Sequence, residues 1–110
     1  MQRPELPLTE YEYLEWGDPR DKQVRKTMLR YSPYQHIADQ KYPPMLFQAS
    51  WYDRSTPYWQ IAKYVAALRH TTNGTADIRF HTDFSGSHPG TPFHKWQRGV
   101  VQQLAFLLSQ

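Results

Sequence analysis

The stretch that decides the fold is residues 44–84, PMLFQASWYDRSTPYWQIAKYVAALRHTTNGTADIRFHTDF. It opens with a short apolar run, 44–51, bounded by prolines on one side and by polar YDRSTP on the other. That length and those flanks predict a strand buried on both faces. A second segment, 56–71, carries Trp59, Ile61, Ala62, Val65 and Leu68 at helical spacing. Thr56 is suited to the N-cap and Pro57 to the first helical position. Asn73-Gly74 predicts a turn or left-handed cap at its end. In 76–84, Ile78 and Phe80 alternate with Arg79 and His81, which predicts a second strand. A helix between two strands is long enough to make them a parallel pair, and such crossovers are nearly always right-handed.

Working outward, PFHKWQRGVVQQLAFLLSQ at 92–110 places Phe93, Trp96, Val100, Val101, Leu104, Leu107 and Leu108 at three- and four-residue steps. This predicts an amphipathic helix, with Gly99 a weak point inside it. Residues 44–110 therefore read as strand, helix, strand, loop, helix: the edge of an open α/β sheet. Two strands cannot cover their own faces or satisfy their outer edges, so the pattern reads as part of a larger sheet. Residues 1–43 read as an irregular Pro/Tyr-rich segment. Six of the nine prolines, Pro4, Pro7, Pro19, Pro33, Pro43 and Pro44, lie in or at the edge of it. One short helix is expected near Asp21–Leu29, followed by a turn at YSPY. Tyr11, Tyr13, Trp16, Tyr31 and Tyr34 are expected to anchor this excursion onto the core.

The chain has 110 residues, which suits one domain or part of one, and 39% of them are hydrophobic. Formal net charge is +3 with no run of basic residues, so no nucleic-acid partner is expected. There is no cysteine, which excludes a disulfide and a thiolate zinc site. The N-terminal residues carry no apolar signal core, and no stretch is long and apolar enough to span a membrane. No membrane association is expected, and the cytoplasm is the expected location.

In open α/β sheets the reacting groups sit just beyond the carboxyl ends of the strands. Asp53 follows the first strand and His88 the second, so adjacent parallel strands would bring their loops together. An Asp that orients a His is half of a Ser–His–Asp triad, and acid before base is the α/β-hydrolase order. Each residue has an alternative: Asp53 as the cap of the helix starting near Thr56, and His88 as a solvated loop residue. His81, Asp83, His88 and His94 form a loose cluster without tight ligand spacing, and no metal or other cofactor is expected.

LPLTEYEYLEWGDP, MLRYSPYQHI, YPPMLFQASWYDRSTPYWQIAKYVAALR, FHTDFSGSHPG and the closing AFLL together resemble consecutive blocks of the prolyl oligopeptidase family of serine peptidases. The oligopeptidase B (protease II) branch is nearest, and the resemblance covers almost the whole chain. It implies a C-terminal fragment of an α/β-hydrolase domain, with Asp53 at the triad acid and His88 at the triad base. Trp51, Tyr58 and Trp59 match framework positions beside the acid. The branch implies cleavage of short peptides after Arg or Lys.

The departures are specific. No Gly-x-Ser-x-Gly nucleophile elbow occurs in these residues. Ser85-Gly86-Ser87 is the nearest imitation and lacks the strand-to-helix setting. Where the family has Gly-His-Gly-Gly, this chain has Ser87-His88-Pro89-Gly90, and Pro89 biases His88 toward extended backbone. Where the family tends to place an Arg two residues after the acid, Arg54 follows Asp53 immediately and Ser55 stands next. The expectation is a serine-type peptidase portion with acid and base but no nucleophile, inactive alone. A peptide is its substrate only when a nucleophile-bearing part complements it. Docking to that part or self-association is expected, as is a partly folded or aggregating chain in isolation. The alternative is a non-catalytic binding or scaffold remnant.

Overall fold

The computed structural model describes residue 5 and residues 8–72, 76–87 and 93–110. The chain divides into two compact units, Met1–Ala38 and Asp39–Gln110.

The first unit holds helices α1 (Thr9–Trp16) and α2 (Lys22–Tyr31), then a short 3-10 turn, Pro33–His36. Helix α1 was not expected from a proline-rich segment. The prolines flank it rather than interrupt it: residues 8–18 contain none, enough for two turns. Gly17 ends α1 at φ 85°, with its N–H on Tyr13 O at 3.0 Å. Only glycine fits there, because a Cβ would stand 2.9 Å from Val24 Cγ1 and the φ is left-handed. Helix α2 lies close to the expected range. Asp21 caps it, with Oδ1 accepting from Gln23 N–H at 2.7 Å and Val24 N–H at 3.0 Å. The aromatic side chains expected as anchors are largely exposed: Tyr11, Trp16, Tyr31 and Tyr34 all face solvent.

The second unit is the predicted α/β arrangement. Strands β1 (Met45–Ser50) and β2 (Ile78–Asp83) are parallel, in register from Met45 opposite Ile78 to Ser50 opposite Asp83. Helix α3 (Tyr58–Thr71) is the crossover, and helix α4 (Phe93–Leu108) follows β2. The core lies between α3 and the sheet, where Val65, Leu68 and Ile78 are buried. Each such side chain contributes about 1.5–3 kcal/mol. The Phe47 ring meets Tyr64 edge-on at 5.6 Å. The Arg69 guanidinium donates to Ile78 O at 2.6 and 3.1 Å, binding helix to strand. Thr72 closes α3 through its N–H and hydroxyl, both 2.9 Å from Leu68 O.

Helix α4 touches the opposite face. Gln103 Nε2 donates to Gln48 Oε1 at 2.6 Å, and the Arg79 guanidinium lies 5.1 Å from the centre of the Phe106 ring. Of the expected apolar stripe, Trp96, Val101, Leu104, Leu107 and Leu108 are exposed; the residue that α4 buries is Phe106, which lies outside that stripe. Gly99 does not interrupt the helix.

Two local expectations are corrected. Strand β1 is half-buried at all six positions rather than buried on both faces. Its second face meets polar Gln–Gln contacts, and its outer edge pairs with no strand among the described residues. Helix α3 does not start with Thr56 as cap. Pro57 holds that place with extended backbone (ψ 134°) and no side-chain cap, and the Thr56 hydroxyl turns to Asp53 instead. The turn expected at Asn73-Gly74 lies outside the described residues. Among the described residues no helix is long and apolar enough to cross a membrane.

Candidate active site

Parallel pairing puts the carboxyl ends of β1 and β2 on one rim. Ser50 and Asp83 stand opposite each other as the last residues of the two strands. The chain leaves β1 through a turn in which Asp53 N–H donates to Ser50 O at 3.2 Å. The half-buried Asp53 carboxylate then organises the residues after it. Its Oδ1 accepts from the N–H groups of Ser55 at 2.9 Å and Thr56 at 2.8 Å, and its Oδ2 from the Thr56 hydroxyl at 2.6 Å. This is an Asx turn with an added hydroxyl. It ends before α3 begins at Tyr58, so Asp53 is not that helix's cap.

The two rim loops are joined by backbone bonds. Trp51 N–H donates to Asp83 O at 2.8 Å, and Tyr52 N–H to Gly86 O at 3.2 Å. Aromatic rings reinforce the join: Trp51 stacks on Tyr58 at 4.1 Å and lies 5.2 Å from Phe84. Trp51 and Tyr58 thus pack together close in sequence to Asp53.

Asp83 repeats the Asx pattern after β2. Its Oδ1 accepts from Ser85 N–H at 2.8 Å and from the Ser85 hydroxyl at 2.6 Å. Gly86 is buried behind it. Sequence reasoning mentioned Asp83 only as a loose metal candidate, although Asp-Phe-Ser-Gly directly after a strand is a turn signal in its own right. Between this rim and α4 lies an open cleft of about 700 Å³, with Ser50, Asp53, His81, Asp83 and Arg98 among its lining residues. Its walls mix these polar groups with apolar Ile61, Phe84, Trp96 and Val100.

His88, the expected base, lies outside the described residues, as do Pro89 and Gly90. Of the expected pair, the structure describes Asp53 alone. Among the described residues no three His, Asp or Glu side chains converge as a metal site.

The sequence profile of the prolyl oligopeptidase family matches residues 1–110. Dipeptidyl aminopeptidase BI of Pseudoxanthomonas mexicana is 37% identical over 112 residues, which is 100% of this chain and 15% of that protein. Protease 2 of Moraxella lacunata is 34% identical over 85 residues, or 77% of this chain and 12% of that protein. Among solved structures, oligopeptidase B from Trypanosoma brucei, in a closed form with covalently bound antipain, superposes with a TM-score of 0.89. It is 30% identical, and the match covers 97% of this chain and 15% of that one. Oligopeptidase B from Leishmania major gives 0.82 at 31% identity, with 92% and 14% covered. The chain thus spans a small part of the length of each of these proteins.

Proposed function

This chain belongs to the prolyl oligopeptidase family and has the α/β fold of part of a peptidase hydrolase domain, and from that premise we propose that it supplies the acid and base of a Ser–His–Asp triad. Asp53 is the acid and His88 the base. The serine hydroxyl comes from outside these residues, since no Gly-x-Ser-x-Gly elbow occurs in them. In that role His88 takes the serine proton as the hydroxyl attacks a peptide carbonyl. Asp53 holds the imidazole in the correct tautomer and stabilises the imidazolium.

One observation carries this reading. The Asp53 carboxylate is fixed by three hydrogen bonds on the same rim as the loop that leads to residue 88, and two backbone bonds join the loops. Acid before base along the chain agrees with the hydrolase order. The partner is the nucleophile-bearing remainder of such a domain, and the exposed Val101, Leu104 and Leu107 of α4 suit a face that this remainder covers. The substrates are short peptides cut after Arg or Lys, as in the oligopeptidase B branch the sequence resembles, with no metal or organic cofactor in the reaction.

The test is kinetic. The purified chain is expected to leave an arginyl amide peptide uncut. Together with the nucleophile-bearing remainder of an oligopeptidase B it is expected to cut that peptide, with arginine preferred over leucine at the cleaved position. His88→Ala is expected to abolish the gain. Hydrolysis by the chain alone, lost in His88→Ala, would contradict the proposal. An assembly that forms and stays inactive would instead favour a scaffold role.

A further inference from the structure

Resting on the pairing proposed above, we infer that Asp83 is a positioning residue for the reaction: it fixes the loop leading to the base against the loop that carries the acid. Asp83 sits where both loops begin. Its main-chain oxygen accepts from Trp51 N–H at 2.8 Å, in the turn that ends at Asp53. Its carboxylate holds Ser85 twice, through N–H at 2.8 Å and hydroxyl at 2.6 Å. The carboxylate thus sets the course of Ser85 and Gly86, and it is the Gly86 oxygen, with the Asp83 main chain, that holds the segment after β1.

Gly86 completes the clamp. A Cβ there would stand 2.7 Å from Asp83 Oδ2 and 2.8 Å from Ser50 Oγ, closer than such atoms approach. Both oxygens belong to the residues that end β1 and β2, which stand opposite each other. The Asp83 carboxylate cannot swing aside without breaking its bonds to Ser85. The backbone at Gly86 is thus pressed into the strand ends, and its oxygen accepts from Tyr52 N–H at 3.2 Å. Gly86 is two residues before His88 and Tyr52 one before Asp53.

The chemistry explains why such a clamp matters. Acid and base work only within hydrogen-bond reach, about 2.6–3.2 Å. Misplacement by about 1 Å costs on the order of 100-fold in rate. Loops do not hold that tolerance unaided, so the strand ends must set it. Asp83 touches no reacting atom in this account. It acts through the two loops.

The experiment uses the whole chain assembled with the nucleophile-bearing remainder. Asp83→Ala is expected to lower kcat by about 10- to 100-fold with KM within about threefold. Asp83→Asn keeps an oxygen that accepts from Ser85, and is expected to restore kcat to within about threefold of the parent. Gly86→Ala leaves every donor and acceptor in place and is expected to reproduce the loss. Sedimentation of each variant shows whether it assembles; if Asp83→Ala does not, Gly86→Ala carries the test. Parental kcat in Asp83→Ala overturns the inference alone, as does equal impairment by Ala and Asn. Failure of both Asp83→Ala and Gly86→Ala to assemble overturns it in favour of a purely structural role. An inactive parent assembly overturns the Asp53–His88 pairing, and the inference with it.

Discussion

The proposed triad gives Asp53 two jobs that a substitution can separate. Its oxygens hold Ser55 and Thr56 by three hydrogen bonds, and its charge is the one assigned to the base. Asparagine keeps an oxygen for the two N–H groups and removes the charge. Asp53→Asn is therefore expected to leave the circular dichroism spectrum unchanged while kcat of the assembly falls by about four orders of magnitude. Asp77 offers a separate check on local electrostatics. Arg79 donates Nε to Oδ1 at 3.0 Å and Nη2 to Oδ2 at 2.7 Å, and these bonds hold the Asp77 carboxyl below the ordinary aspartate range. A carboxyl lowered in the folded state lends stability above its unfolded value, and loses it as pH falls through the folded one. The pair is solvent-exposed, so its contribution is small. NMR titration is expected to show Asp77 ionising at lower pH in the parent than in Arg79→Ala; equal midpoints would contradict the pairing.

At the scale of elements, the helix ends and the α3 face make sharper predictions. Asp21 satisfies two N–H groups at the start of α2. Asp21→Ala is expected to cost about 1 kcal/mol of helix stability, read as faster amide exchange at Gln23 and Val24. Leu68 is 0% exposed between α3 and the sheet. In the assembly with the nucleophile-bearing remainder, Leu68→Ala is expected to lower stability by about 2–5 kcal/mol, seen as an earlier urea midpoint. The α/β order of residues 44–110 was legible because hydrophobic period and breakers agreed there. Helix α1 was not legible in the number of prolines because their position decides: Pro7 and Pro19 bracket the helix in sequence. Thr56 looked like a cap because its type and place fit one. The Asp53 carboxylate competes for its hydroxyl, and that competition is tertiary rather than local. The joining of the two loops at Asp83 and Gly86 was not legible in the sequence for a related reason. Their role depends on Ser50 and Trp51 from another strand end, which only the parallel register brings alongside.

At the scale of the molecule, buried apolar side chains are few among the described residues. Val65, Leu68, Ile78 and Phe106 form the core among the described residues, while Leu14 at 91% and Leu108 at 87% exposure face solvent. Such a core offsets little chain entropy. The chain alone is expected to unfold over a broad thermal range, and to sharpen and shift upward when the nucleophile-bearing remainder is added. A sharp two-state transition for the isolated chain by calorimetry would contradict this. The proposed pairing of Asp53 and His88 on a serine from elsewhere can be seen directly in a crystal structure of the chain bound to that remainder. An Asp53 oxygen is expected about 2.6–3.2 Å from His88 Nδ1, with His88 Nε2 facing the serine hydroxyl. A His88 ring held by another carboxylate, or out of reach of Asp53, would contradict it.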